Sequence, residues 1–187
     1  MDLQPTLEGE RLRLRPLRTD DRDALYEVAR DPLLWQHHPE PGRWCEPRFD
    51  AYFTGLLALG GSLAVVERAS GALIGATRFQ YGGSEDGGTI EIGSTVLARA
   101  HWGGAVNAEM KRLMLDHALR HVARVEFWVG RDNLRSRRAM EKLGARLVER
   151  VEQVEVGGRT VPHVVYAIDR ALFAAGPLGT PDDPGGE

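Results

Sequence analysis

The chain has 187 residues, of which 42% are hydrophobic and 27% charged, the usage of about one ordinary globular domain rather than of a disordered or fibrous protein. A net charge of −3, from 24 Lys and Arg against 27 Asp and Glu, argues against a nucleic-acid partner, and 22 of the 24 basic residues are arginines, a bias that points to a GC-rich bacterial genome more than to a mechanism. No apolar run approaches the ~18 residues that span a bilayer, Met1–Glu10 lacks the basic and apolar regions of a secretory signal, and the single cysteine, Cys45, excludes an internal disulfide, so a cytoplasmic protein without a membrane partner is expected.

Glu10 to Leu17 alternates Leu12 and Leu14 with Arg11, Arg13 and Arg15, the period of a strand with one wet face. Thr19 or Asp20 then caps a helix that runs to about Arg30 and is stopped by Pro32. Leu33 to Pro47 is loop-like, with Trp35, His37, His38 and Trp44 among prolines and polar residues. Arg48 to Leu59 is predicted helical, closed by Gly60 and Gly61. Three strands follow: Ser62 to Glu67, Ala72 to Gln80 and, after a Gly-rich connection from Tyr81 to Gly88, Thr89 to Leu97, with Ile90, Ile92 and Val96 expected on one face.

Gly104 to about Val122 has the clearest helical period, carried by Val106, Met110, Leu113, Met114, His117 and Ala118. A short strand, Arg124 to Val129, leads to a helix from Asn133 to Leu143 ended by Gly144. Arg146–Val156 and Arg159–Asp169 form a hairpin about Gly157-Gly158. The order predicts an α/β (α+β) domain, a mixed sheet of about seven strands with helices on both faces, over residues 7–173. A Gly-, Pro- and Asp-rich tail, 176–187, has little to bury and is expected to be disordered.

Two segments suit chemistry. In Ala98-Arg99-Ala100-His101-Trp102-Gly103-Gly104-Ala105 a Gly pair opens a helix, so backbone N–H groups and the positive end of the helix can meet a phosphate. Glycines of this kind also serve as plain turn formers. In the second segment Asn133 is an N-cap with Ser136 three residues on, and residues 131–150 hold seven basic against three acidic side chains. A solvated helix face is the more usual reason for such a charge run.

Together, Trp102-Gly103-Gly104-Ala105, the stretch from Asn133-Leu134-Arg135-Ser136 to Leu143-Gly144-Ala145, and the opening Leu7-Glu8-Gly9-Glu10-Arg11-Leu12-Arg13-Leu14-Arg15-Pro16-Leu17 resemble the GNAT N-acetyltransferase superfamily, and most closely its RimJ/RimL-like branch of ribosomal-protein N-terminal acetyltransferases. The likeness runs from about Leu7 to Asp169. It departs at Ala100, where the family turn carries Gln or Arg and Arg99 is the candidate substitute, and at Met140, where several relatives carry a Tyr acid.

The resemblance implies acetyl-CoA as co-substrate and an amine as acceptor, with room for a homodimer. Its pantetheine arm would pair with the strand backbone at Val96 and Leu97. Its pyrophosphate would lie over Trp102, Gly103, Gly104, Ala105 and Val106. Asn133 would bond the arm, and Arg137 or Arg138 would meet the 3′-phosphate. Ser136 would protonate the departing thiolate. Glu91 is the first candidate for the base, with Glu126 and His101 as alternatives. The region of His37, His38, Trp35 and Trp44 and the hairpin near Gly157–Arg159 would form the acceptor pocket. Adjacent histidines on a strand point to opposite faces, so no metal site is expected there. Cys45 stands without a neighbouring base and is expected to be inert. A non-catalytic acyl-CoA-binding module of the same fold is the alternative. A Rossmann-type nucleotide site is disfavoured, because no Gly-x-Gly-x-x-Gly follows the first strand.

Overall fold

A computed structural model describes residues 1–81 and 88–179. Its strands are β1 (Leu7–Glu8), β2 (Leu12–Pro16), β3 (Ser62–Glu67), β4 (Leu73–Tyr81), β5 (Thr89–Leu97), β6 (Arg124–Gly130), β7 (Arg146–Val156) and β8 (Arg159–Asp169). Its helices are α1 (Arg22–Ala29), α2 (Glu46–Ala58), α3 (Ala105–Leu119), α4 (Leu134–Lys142) and α5 (Arg170–Ala175). The strands form one sheet in the order β1-β2-β3-β4-β5-β6-β8-β7. Every pair is antiparallel except β5 and β6, which are parallel and joined by α3 as the crossover. The mixed sheet with helices on both faces is the architecture expected.

Local chemistry explains most boundaries. Pro47 sits in the first turn of α2, where its missing N–H costs nothing. The Asn133 side chain caps α4 by accepting from Ser136 N at 3.2 Å, and Gly144, at φ +87°, ends the turn beyond it. Gly157 and Gly158 have φ of +58° and +74°, which gives the two-residue turn the twist that a hairpin needs.

Four expectations change. The sheet has eight strands, because the two-residue β1 pairs with β2, Leu7 against Leu14. The first helix is preceded by a 3-10 turn over Thr19–Asp21, held by Asp21, whose carboxylate accepts from Arg15 at 2.6 and 2.7 Å and from Arg18 N at 2.8 Å. α3 stops at Leu119, short of Val122. The chain also does not go slack after the last strand. Asp169 caps α5, and Leu178 is buried in the core, so residues 176–179 pack on the body. The remainder of the expected tail, 180–187, and the core of the Gly-rich connection, 82–87, lie outside the described residues.

The sheet separates two cores. One joins Ile90, Ile92, Leu97, Phe127 and Val129 to Met110, Met114 and Ala118 of α3, Met140 of α4 and Phe173 of α5. The other packs Leu25 and Ala29 of α1 and Phe49, Phe53 and Leu56 of α2 against Ala64, Ala76 and Val96. Val96 is thus on the face opposite Ile90 and Ile92, contrary to the alternation in the sequence. The cause is a bulge. The β4–β5 register shifts between Ala76 and Arg78, with Ser94 at φ +47°, and the extra residue inverts every side chain beyond it. Among the described residues no helix is long and apolar enough to cross a membrane.

Candidate active site

The bulge has a second consequence. β5 and β6 pair only through Thr89–Arg124, Ile90–Val125 and Glu91–Glu126. Beyond those residues each strand keeps its outer neighbour, β4 as far as Leu97 and β8 as far as Gly130, but the inner edges separate. The gap opens into a cavity of about 800 Å³ that reaches both faces of the sheet. Strand-like edges facing empty space are a ready partner for an extended chain bearing amides.

On the α3 side the walls are Trp102, Gly103, Asn107 and Lys111 from α3 and its approach, and Asn133, Ser136, Ala139 and Met140 from α4. The Trp102 indole is pinned by a 2.8 Å bond from Nε1 to the Leu97 carbonyl. Gly103 has φ +67°, which favours glycine, and a side chain built on Gly103 or Gly104 would touch nothing within 4 Å. No side chain caps Gly104, so the first N–H groups of α3 point into open space. That cradle fits a pyrophosphate. Asn133 spends Oδ1 on its cap and leaves its amide group to the cavity it lines. Of the expected pyrophosphate segment, Trp102 and Gly103 line the cavity, while Gly104 and Ala105 are exposed beside it and Val106 packs toward the core.

The arginines of α4 are sorted by helical phase. Arg137 donates to Tyr166 Oη at 3.3 Å and to the Arg131 carbonyl at 3.1 Å, and Arg138 is exposed. Neither reaches the cavity. Arg135 does: its guanidinium carbon lies 3.8 Å from the Trp102 ring centroid. Arg99 is ion-paired with Asp31 and is thereby committed away from the Gly-rich turn.

On the other side the walls are Trp35, His38 and Arg43 from the loop, Tyr52 from α2, Arg78 and Gln80 from β4, Trp128 from β6, and Val154–Gly157 and His163 from the hairpin. The loop and the hairpin meet: Arg159 donates to the Pro39 carbonyl at 3.1 Å. The two expected acceptor regions therefore converge. The paired histidines do not act together. His37 is exposed, whereas His38 is packed edge-on against Trp35, and burial holds its pKa down to about 3, so it is neutral. Glu40 N donates to its Nδ1 at 3.0 Å, and Arg43 Nη1 lies 3.3 Å from its Nε2. Among the described residues no group of three or more His, Cys, Asp or Glu could hold a metal.

Three candidate bases are separated by their surroundings. His101 does not line the cavity. Glu126 is buried but tied to Arg150, to Arg124 at 3.4 Å and to Trp128 Nε1 at 3.1 Å. Glu91 is 5% exposed, faces the cavity and accepts from Gln80 Nε2. Burial pushes its pKa up to about 7, against the lowering by that hydrogen bond and by Arg78. Gly93 leaves it room, since a Cβ there would sit 2.7 Å from Glu91 Oε1.

Sequence periodicity missed Lys111. It is 3% exposed on α3, donates to Thr95 Oγ1 at 2.8 Å, and its Nζ lies 5.7 Å from the Phe127 ring centroid. Burial alone drops its pKa to about 7. Asn107, Glu109, Arg112 and Asp116 share the helix, so a lysine among them carried no sequence signal of burial.

Comparison with known proteins supplies the family. No curated protein matches the chain. The fold is shared with a GCN5-related N-acetyltransferase from Brucella melitensis (TM-score 0.75, 22% identity, covering 92% of this chain and 81% of that one). It is shared with the GNAT-family acetyltransferase from Bacillus anthracis (0.71, 22%, 88% and 98%). It is shared also with Mycobacterium smegmatis RimJ in complex with CoA-disulfide (0.63, 24%, 89% and 88%). The family model described as an acetyltransferase (GNAT) domain matches residues 11–146, from β2 through the Gly-rich turn and α4, and the chain belongs to that family of acetyl-CoA-dependent acetyltransferases.

Proposed function

We propose that the protein transfers the acetyl group of acetyl-CoA to a primary amine, either a protein N-terminal α-amine or a small-molecule amine, by direct attack in a ternary complex. One observation carries this: a single gap in the sheet joins a phosphate cradle on the α3 face to a buried carboxylate on the other.

The co-substrate supplies an activated thioester, and the chain supplies position and protons. The open edges of β5 and β6 hold the pantetheine amides, the N-terminus of α3 holds the pyrophosphate, and the Asn133 amide donates to the arm. Backbone N–H groups of β5 face the carbonyl oxygen as it gains charge. The amine enters from the side of Trp35, Tyr52 and Trp128. Glu91 takes its proton, and a base whose pKa lies near 7 is matched to that task at neutral pH. Ser136, with its hydroxyl in the cavity wall of α4, is a hydrogen-bond donor to the departing sulfur.

The test is a screen of amines and N-terminal peptides with acetyl-CoA, read as free-thiol release, together with calorimetry of acetyl-CoA alone. Saturable binding at one site per chain and release that depends on an amine support the proposal. Binding without turnover for every amine class would reduce the protein to an acyl-CoA-binding module.

A further inference from the structure

Lys111 has no role in the scheme above, and its surroundings need one. Its side chain rises from α3 into the split between the strands, with Thr95 of β5 on one side and Phe127 of β6 on the other. Thr95 Oγ1 is itself 2.8 Å from Thr77 Oγ1, which lies 3.5 Å from Met114 Sδ. Met140 of α4 closes the same core. None of these neighbours is charged. Burial is the sole cause of the shift in its pKa, so no carboxylate balances the ammonium group. Among the described residues its bond to Thr95 uses one of three donors. A buried cation of this kind is costly unless a ligand completes it.

Resting on the acetyl-transfer reading, we propose that Lys111 is the catalytic acid that gives a proton to the sulfur leaving the acetyl group. In that step the amine nitrogen forms a bond to the acetyl carbon, and the carbon–sulfur bond breaks. The proton lost by the nitrogen goes to Glu91 on the opposite face. The proton gained by the sulfur comes from the Lys111 ammonium, leaving a neutral amine. Proton exchange with water then restores both groups, and the sum is amide plus free thiol. The place of Lys111 follows from the fold: it lines the gap from the α3 side, where the pyrophosphate cradle also lies, while the acceptor walls are on the other. Its chemistry follows from burial. An ammonium that releases its proton near neutrality is a better acid than an alcohol, which needs its own proton replaced at once. Ser136 then orients the sulfur, and Lys111 supplies the proton.

The experiment titrates the thiol of bound CoA by its ultraviolet thiolate absorbance in the wild type, Lys111→Met and Ser136→Ala, which requires no acceptor. An ammonium facing the sulfur lowers the thiol pKa of bound CoA by about one unit or more relative to free CoA, and Lys111→Met removes that depression. With an acceptor in hand, Lys111→Met lowers kcat by about 10²–10⁴-fold, with acetyl-CoA Kd changed only a few-fold, and Ser136→Ala costs less. Melting temperature verifies that each variant is folded. An unchanged thiol titration in Lys111→Met overturns the proposal, as does a kcat kept within about threefold. Recovery of kcat in Lys111→Arg also overturns it, because a guanidinium keeps the charge but cannot give up the proton. A wild type that binds no CoA defeats the acetyl-transfer reading along with it. A wild type that binds CoA, with a thiol indifferent to Lys111, defeats the role of Lys111 alone.

Discussion

Glu91 and Lys111 line one gap from opposite faces of the sheet, and burial moves them in opposite directions to the same place. The carboxyl rises from 4.5 to about 7 and the ammonium falls from 10.5 to about 7, because a dry site penalises whichever form is charged. Their neighbours differ. Glu91 is surrounded by polar groups, with Gln80 and Arg78 lowering its pKa and Glu126 and Glu152 raising it, on a face built from a loop, a hairpin and α2. Lys111 has Thr95, Phe127 and the methionine-rich core of α3 and α4. The face of Glu91 mixes charged and polar groups with aromatic ones, while the face of Lys111 is apolar beneath the Gly-rich turn. One cavity therefore holds two proton sites that do not neutralise each other by direct contact.

The sharpest way to break this pairing is Glu91→Gln. Glutamine has the same shape and cannot take a proton, so kcat/KM should fall by about 10²–10⁴-fold. In the wild type the base must be ionised and the Lys111 acid protonated, so kcat/KM should peak near pH 7, with Glu91 setting the acidic limb and Lys111 the alkaline one. The variant should lose the acidic limb. A wild-type profile flat from pH 5.5 to pH 8.5 would remove Glu91 as the base and return the choice to Glu126 or His101. Stability sharpens the same point. A carboxyl whose folded pKa is raised stabilises most below its ordinary value of 4.5, and that contribution is lost as pH rises through about 7, so Glu91→Gln should gain stability relative to wild type on the alkaline side.

In stability Lys111→Met is the mirror image, and melting reads it. A lysine whose folded pKa is depressed contributes fully above its ordinary value of 10.5, and that contribution is lost as pH falls through about 7. The variant should therefore be more stable than wild type at pH 6, by on the order of 4 kcal/mol for a shift of this size, and the advantage should shrink steadily toward pH 10. If the variant is less stable at every pH, Lys111 is held by interactions that outweigh its burial. The symmetry with Glu91 would then be false.

Much of this was legible in the sequence, for physical reasons that stop at identifiable points. Gly157-Gly158 fixed the hairpin because two positive φ angles leave few other residues, and β7 and β8 have the expected bounds. Asn133 and Gly144 marked α4 by cap and stop. The bulge at Ser94 carries no such signal, yet it turns Val96 away from Ile92 and opens the gap. Lys111 was invisible for a related reason. A period of 3.6 residues finds one apolar face, but α3 is covered nearly all round. The sheet lies on one side, and the N-terminal segment reaches it from another, with Arg11 N and Leu12 N donating to Glu109 and His117 bonded to the Asp2 carbonyl. Position on a helical wheel therefore gave no hint that Lys111 is buried. Helical phase also governs the basic run of α4, where Arg135 faces the cavity and Arg137 does not.

The smallest effect concerns Asn133, where a structural and a functional role share one side chain. Its Oδ1 caps α4 by accepting from Ser136 N, and its amide faces the cofactor side of the cavity. Asn133→Ala removes both, so about 1 kcal/mol of stability should go with the cap. Acetyl-CoA binding should weaken by roughly five- to tenfold with the lost hydrogen bond. Asn133→Ser separates the two. A serine hydroxyl caps about as well as an asparagine carbonyl, but it is too short to offer an amide to a ligand. The serine variant should melt within a degree or two of wild type while binding acetyl-CoA as poorly as the alanine variant does. Kd restored together with Tm would mean that the cap is the whole contribution of Asn133. The amides holding the pantetheine arm would then come from the open edges of β5 and β6 alone.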